Sequence, residues 1–285
     1  MNSVLITGGS GYLGRALVKE LMARGTERIC ILSRDEVKQA AMRAEIPDPE
    51  QRLHFFVGDI RDRQRLVRAL QGVDVVISAA ALKRIETGFY NPGEMIKTNV
   101  IGAMNVIEAA TDAGVSKIVQ VSTDKAFQPI SPYGHSKALA EALYLNANNA
   151  RGRAGPICSV VRYGNIWNST GSVVPTWRAA LRRGETLIIT SPNCTRFFML
   201  IEEAVKLVLD TAETMTGGEI AIPDLPAYKL GDLMMALVEN SCPTWRMTGL
   251  PHFEKLHESM DADRCSETAR RMTIDELREA VKGIE

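Results

Sequence analysis

The run Thr7-Gly8-Gly9-Ser10-Gly11-Tyr12-Leu13-Gly14 follows an apolar, β-branched segment at residues 4–7 and opens helical periodicity over 12–24. That context turns a glycine pattern into a phosphate cradle. A residue without Cβ permits the tight turn and close approach to a pyrophosphate, and the helix N-terminus offers free N–H groups to the anion. Thr7, Gly8, Ser10, Gly11, Tyr12, Leu13 and Gly14 are therefore candidate dinucleotide-binding residues.

Short apolar runs at 4–7, 29–33, 53–57, 73–78, 117–122 and 157–161 alternate with helical stretches at 12–24, 62–70, 94–113 and 133–148. Runs this apolar suit strands covered on both faces, and strand–helix–strand alternation demands a parallel sheet with right-handed crossovers. The expected class is α/β: a doubly wound parallel sheet of the Rossmann kind over residues 1–162, with a smaller C-terminal substrate lobe over 163–285. In that lobe a short strand at 187–190 and helices at 202–214, 230–239 and 274–281 are expected.

The acid expected about 20 residues beyond the glycines, where it would hold ribose hydroxyls, is missing from the end of the second strand. Ser33 and Arg34 stand there instead. A hydroxyl and a planar guanidinium suit a 2′-phosphate, which points to NADP, although Asp35 argues for NAD. Asp59 and Ile60 end the third strand at the adenine side. Ala79, Ala80 and Ala81 end the fourth, small enough for a cofactor to lie close.

Tyr133 and Lys137 are at i and i+4, so a phenol and an ammonium share one helical face. Such a cation would lower the phenol pKa and hold the nicotinamide ribose, making Tyr133 a base for a sugar hydroxyl. Thr123 can hold the reacting alcohol. The next residues, Asp124 and Lys125, add an acid and a cation. Oxidation and return of hydride at one carbon needs no such pair, whereas eliminating water does.

Lys plus Arg and Asp plus Glu both total 34, so no cationic field points to nucleic acid or an anionic membrane. Five cysteines without a CxxC pair read as free thiols in a reducing compartment. No apolar run reaches the roughly 18 residues of a spanning helix, and the expected location is cytoplasmic. Cys242, His252, His257 and Cys265 lack the close pairing of structural zinc sites, so no metal is expected. Trp167, Trp177 and Trp245 can either stack on a base or anchor the core.

Together these motifs resemble the extended short-chain dehydrogenase/reductases. Ser122-Thr123-Asp124-Lys125-Ala126, Arg162-Tyr163-Gly164-Asn165, Gly171-Ser172-Val173-Val174-Pro175, Thr195-Arg196-Phe197 and Glu254-Lys255-Leu256-His257-Glu258 are similar to the soluble, C5-inverting UDP-N-acetylglucosamine 4,6-dehydratases of bacterial surface-glycan pathways. The resemblance implies a UDP-sugar substrate met by Lys83, Asn165, Val173, Arg196, Glu254 and Lys255, with Arg196 on the diphosphate. It also implies that Asn99 shapes the helix beneath the site and that the chain forms a homo-oligomer. Lys125 would take the C5 proton and Asp124 would protonate the leaving hydroxyl, or the reverse. Pro251-His252-Phe253, Glu86 and Phe89 depart from the family pattern. A 4-epimerase of UDP-N-acetylhexosamines and a non-catalytic NADP sensor are the alternatives.

Overall fold

The computed structural model describes residues 1–150, 152, 155–238 and 244–283. Glu239, the expected end of one helix, and Cys242 lie outside them. The order begins β1 (Ser3–Thr7), α1 (Tyr12–Ala23), β2 (Arg28–Ser33), α2 (Glu36–Glu45), β3 (Leu53–Val57), α3 (Arg63–Ala69), β4 (Val75–Ser78), α4 (Ile85–Tyr90) and α5 (Pro92–Met95). A π-helical turn (Ile96–Ile101) leads into α6 (Gly102–Asp112), followed by β5 (Lys117–Val121), α7 (Pro132–Ala150) and β6 (Ile157–Val161).

The remainder supplies β7 (Asn165–Ile166), α8 (Val173–Arg182), β8 (Leu187–Ile189), β9 (Thr195–Met199), α9 (Ile201–Thr214), β10 (Ile220–Ala221), β11 (Ala227–Lys229), α10 (Leu230–Val238), β12 (Trp245–Met247) and α11 (Ile274–Lys282).

Seven parallel strands form the main sheet in the order β10-β6-β5-β4-β1-β2-β3. Strand alternation sends Val4 and Ile6 of β1 to one face and Leu5 to the other. The first face packs with Leu17, Val18 and Leu21 of α1 and Val208 and Leu209 of α9. The second packs with Leu66 of α3, Val106 of α6 and Tyr144 of α7. The C-terminal part thus lends α9 to a layer and β10 to an edge of the main sheet. Its own core gathers Trp177, Leu187, Phe198, Leu233 and Leu277.

Helices α2, α4 and α8 and the π turn depart from the pattern read in the chain. Helix α2 was missing from that reading, because it buries only Gln39 and Met42 and so shows almost no apolar stripe. Its local mark is Asp35, whose carboxylate accepts from the Lys38 amide at 3.0 Å as a helix cap. The single helix expected over 94–113 is broken by the π turn. That turn contains Asn99, which accepts from Leu82 N at 2.8 Å and donates to Leu82 O and Ser136 Oγ at 2.9 Å each. It therefore fastens the loop after β4 to α7.

Ile96, Ile101, Met104 and Leu139 remain exposed on this side of the molecule. Among the described residues no helix is long and apolar enough to cross a membrane.

Candidate active site

The sheet order reverses between β1 and β4, and the loops after these strands bound the crevice where such sheets bind ligands. Thr7 is completely buried and its Oγ1 accepts from Ala79 N and Ala80 N, both at 3.1 Å, so it ties the two loops together. Gly8 has φ +70°, and a Cβ there would stand 3.0 Å from Ala80 Cα. At Gly14 a Cβ would fall 2.4 Å from Gly9 O, so only glycine lets α1 pack this close to the loop. Gly11 caps α1 without a side-chain bond, which leaves the first-turn amides for an anion. The cradle fits a dinucleotide pyrophosphate.

At the adenosine end, Ser10 Oγ donates to Ser33 Oγ at 2.9 Å, and Gln39 Nε2 donates to the same oxygen at 2.9 Å. Ser33 therefore keeps its own proton for an outside acceptor. Arg34 is exposed, 3.5 Å from Asp59, whose other cationic neighbour Arg61 lies at 2.7 Å. Burial pushes the Asp59 carboxyl up, but hydrogen bonds from Arg61 outweigh it and hold the group below its usual range. Ile60 packs against Gly102. Asp35 is occupied as the cap of α2. Tyr12 donates to Trp167 O at 3.3 Å, joining the glycine loop to the C-terminal part.

At the end of β5, Thr123 Oγ1 donates to Asp124 Oδ1 at 2.9 Å, and Lys125 Nζ donates to the same oxygen at 3.0 Å. Burial pushes the Tyr133 phenol up to about 12, against the pull of Lys125 and Thr123, while Asp124 adds to the push. Lys137 donates to Val121 O at 2.7 Å, and burial lowers its ammonium to about 8 against the opposing Glu141. Lys125, rather than Lys137, is thus the cation that favours the phenolate. The same Lys125 contacts Asn165 Oδ1 at 3.4 Å and Glu258 Oε1 at 3.5 Å. Burial would lower Lys125, but Asp124 and Glu258 reverse that and hold its ammonium above the usual lysine range.

The residues proposed to meet substrate divide in two. Arg196 and Lys255 gather beside Lys125, and Arg196 holds Glu254 at 2.5 Å while donating to Thr195 O and Leu256 O. Lys255 donates to Phe127 O at 2.7 Å. Lys83 lies exposed in the loop after β4, and Val173 begins α8. Phe89 and the Pro251-His252-Phe253 segment, both departures from the family pattern, meet: the Phe89 ring lies 5.4 Å from His252 and 4.6 Å from Phe253.

Trp167 and Trp177 are buried with their indole N–H groups on Ala280 O and Ile188 O, whereas Trp245 is exposed. Glu258 ends the Glu254-Lys255-Leu256-His257-Glu258 stretch, where nothing local marks a role for it. Its meeting with Lys125 depends on a long-range contact that no local spacing encodes.

The model of the polysaccharide biosynthesis protein family matches residues 4–277, a span from the glycine loop through Glu258. The chain belongs to that family. A relative from Campylobacter jejuni, UDP-N-acetylglucosamine 4,6-dehydratase (inverting), is 43% identical over 260 residues, covering 90% of this chain and 77% of its own. UDP-glucose 4-epimerase of Rickettsia conorii is 39% identical over 264 residues, with the same two coverages of 90% and 77%. The X-ray structure of Pen from Bacillus thuringiensis superposes with a TM-score of 0.95 at 27% identity, covering 100% of this chain and 98% of that one. The family members so matched thus include both a dehydratase and an epimerase.

Proposed function

We propose that this chain is a UDP-N-acetylglucosamine 4,6-dehydratase that inverts C5, using a nicotinamide dinucleotide as a temporary hydride store. The observation that carries the choice over an epimerase is the buried Asp124–Lys125 pair, held directly beside Thr123 and Tyr133. Reversible oxidation at C4 needs Tyr133, Thr123 and Lys137. A further proton donor and acceptor are needed only if C5 loses a proton and C6 loses a hydroxyl.

When bound, the dinucleotide supplies an acceptor for the C4 hydride that can later give it back to C6. Tyr133 takes the C4 hydroxyl proton, Thr123 orients that alcohol, and Lys137 holds the ribose. The ketone at C4 then acidifies C5. Because two carboxylates keep Lys125 protonated before reaction, it suits the role of donor to the departing C6 hydroxyl. The opposite assignment requires Lys125 to hand its proton to Asp124 first. Incubation with UDP-N-acetylglucosamine should yield a product lighter by one water. A product of unchanged mass with the C4 hydroxyl turned over would establish the epimerase.

The preferred dinucleotide is NADP, because Ser33 and Arg34 offer a donor hydroxyl and an exposed guanidinium, while Asp35 is drawn away as a helix cap. Arg34→Ala should weaken NADP by about tenfold, the equivalent of about 1.4 kcal/mol, and leave NAD nearly unchanged. Equal weakening of both in a titration would contradict a 2′-phosphate contact.

A further inference from the structure

Helix α2 buries two side chains, Gln39 and Met42, and one of them is polar. A buried amide costs stability unless its donors are matched. The acceptors of Gln39 all lie at the adenosine end of the crevice. Its Nε2 donates to Phe56 O and to Ser33 Oγ at 2.9 Å each, with Ser33 O farther off at 3.2 Å.

Chemistry decides the orientation of this amide. Phe56 O and Ser33 O are carbonyl oxygens that only accept, so the NH2 end must face them and the amide oxygen must point away. An amide NH2 has two hydrogens. One serves Phe56 O and the other reaches Ser33 Oγ. Ser10 Oγ, on the glycine loop, brings a second donor to the same oxygen at 2.9 Å. With both acceptor positions of the Ser33 hydroxyl filled, the one capacity it retains is to donate. Ser33 is partly open to solvent, and the exposed Arg34 follows it directly.

That state of the hydroxyl sorts two dinucleotides. A 2′-phosphate is charged and only accepts, so a donor hydroxyl gives it a charge-assisted bond. A ribose 2′-hydroxyl accepts as well, but it brings no charge and its own proton finds no acceptor at Ser33. We propose that Gln39 is a positioning residue that sets the preference for NADP over NAD by turning the Ser33 proton outward. This rests on the NADP reading. Gln39 is itself buried and acts through Ser33 rather than on the cofactor.

A residue that merely ties α2 to the ends of β2 and β3 would change stability and leave the choice of dinucleotide alone. The test therefore reads the ratio of the NADH and NADPH dissociation constants, by nicotinamide fluorescence titration, in the parent, Gln39→Met, Ser33→Ala and the double variant. Methionine matches glutamine in length and supplies no donor. Gln39→Met should weaken NADPH by about three- to tenfold and NADH by less than about twofold. Ser33→Ala should lower the ratio as well, and adding Gln39→Met to it should change the ratio no further, because two residues acting through one proton are not additive. A parent ratio in Gln39→Met, or a second fall of similar size in the double variant, would overturn the proposal. If Gln39→Met binds neither dinucleotide, Gln39→Asn decides, since its amide is one methylene short of Ser33 Oγ. A lowered ratio there supports the role, and a parent ratio or loss of both dinucleotides overturns it. A parent enzyme that binds NADPH no more tightly than NADH would strike the NADP reading itself, and the proposal with it.

Discussion

Tyr133→Phe should bind cofactor and sugar yet fail to reduce the cofactor, with the single-turnover rate down by about 10²–10⁴-fold. Phenylalanine keeps the ring and its packing but removes the oxygen proposed to take the C4 proton. The other groups in the row cannot substitute, since Thr123 is neutral, Lys125 is held as a cation, and Lys137 is tied to Val121 O. The phenol's raised pKa, up to about 12 in the free protein, means that it is protonated at neutral pH. The parent's reduction rate should therefore climb as pH rises, while the residual rate of Tyr133→Phe should lose that slope. Absorbance of the reduced nicotinamide reads both. A Phe variant that reduces cofactor at the parent rate would remove Tyr133 from the chemistry.

The largest stability loss is expected at Arg162, a buried residue outside the proposed catalytic row. Arg162 donates to Glu141 through Nε at 3.0 Å and Nη2 at 2.5 Å, and to Met260 O through Nη1 at 2.5 Å. Ser122 Oγ completes the group by donating to Glu141 at 2.5 Å. Arg162 and Glu141 are both buried, so Arg162→Leu leaves an unpaired carboxylate in the interior and should destabilise the fold by about 3–5 kcal/mol in urea denaturation. Adding Glu141→Leu should recover part of that loss, because the uncompensated charge disappears with it. A single variant as stable as the parent would show that the group can rehydrate. The bond to Met260 also anchors the segment bearing Glu258, which approaches Lys125 at 3.5 Å.

Much of this arrangement was legible in the chain because its parts are local. The strand from Ile157 to Val161 occupies the expected residues, since an inner parallel strand is covered on both faces, and the half-buried edge strand from Leu53 to Val57 also occupies the residues expected from its apolar run. The glycine loop and the spacing of Tyr133 and Lys137 are equally local, each a few residues long and bound to one helix start. Helix α2 was hidden by its polarity, and the π turn by a periodicity that an extra residue disturbs without abolishing. The meeting of Phe89 with His252 and Phe253, the pairing of Arg196 with Glu254, and the approach of Glu258 to Lys125 join distant stretches of chain. They arise from how the C-terminal part folds back over the strand ends, which no short motif records. Asp35 illustrates the converse: as a residue type it suggested a ribose contact, but its neighbours make it a helix cap.

In the proposed reaction hydride leaves C4 and returns at C6 within one active site. Turnover of C4-deuterated UDP-N-acetylglucosamine in ordinary water measures this directly. The expected product is a 4-keto sugar that has lost one water, is inverted at C5 and carries the deuterium on C6. Deuterium retained at C4 of a product with its C6 hydroxyl intact would contradict that reaction.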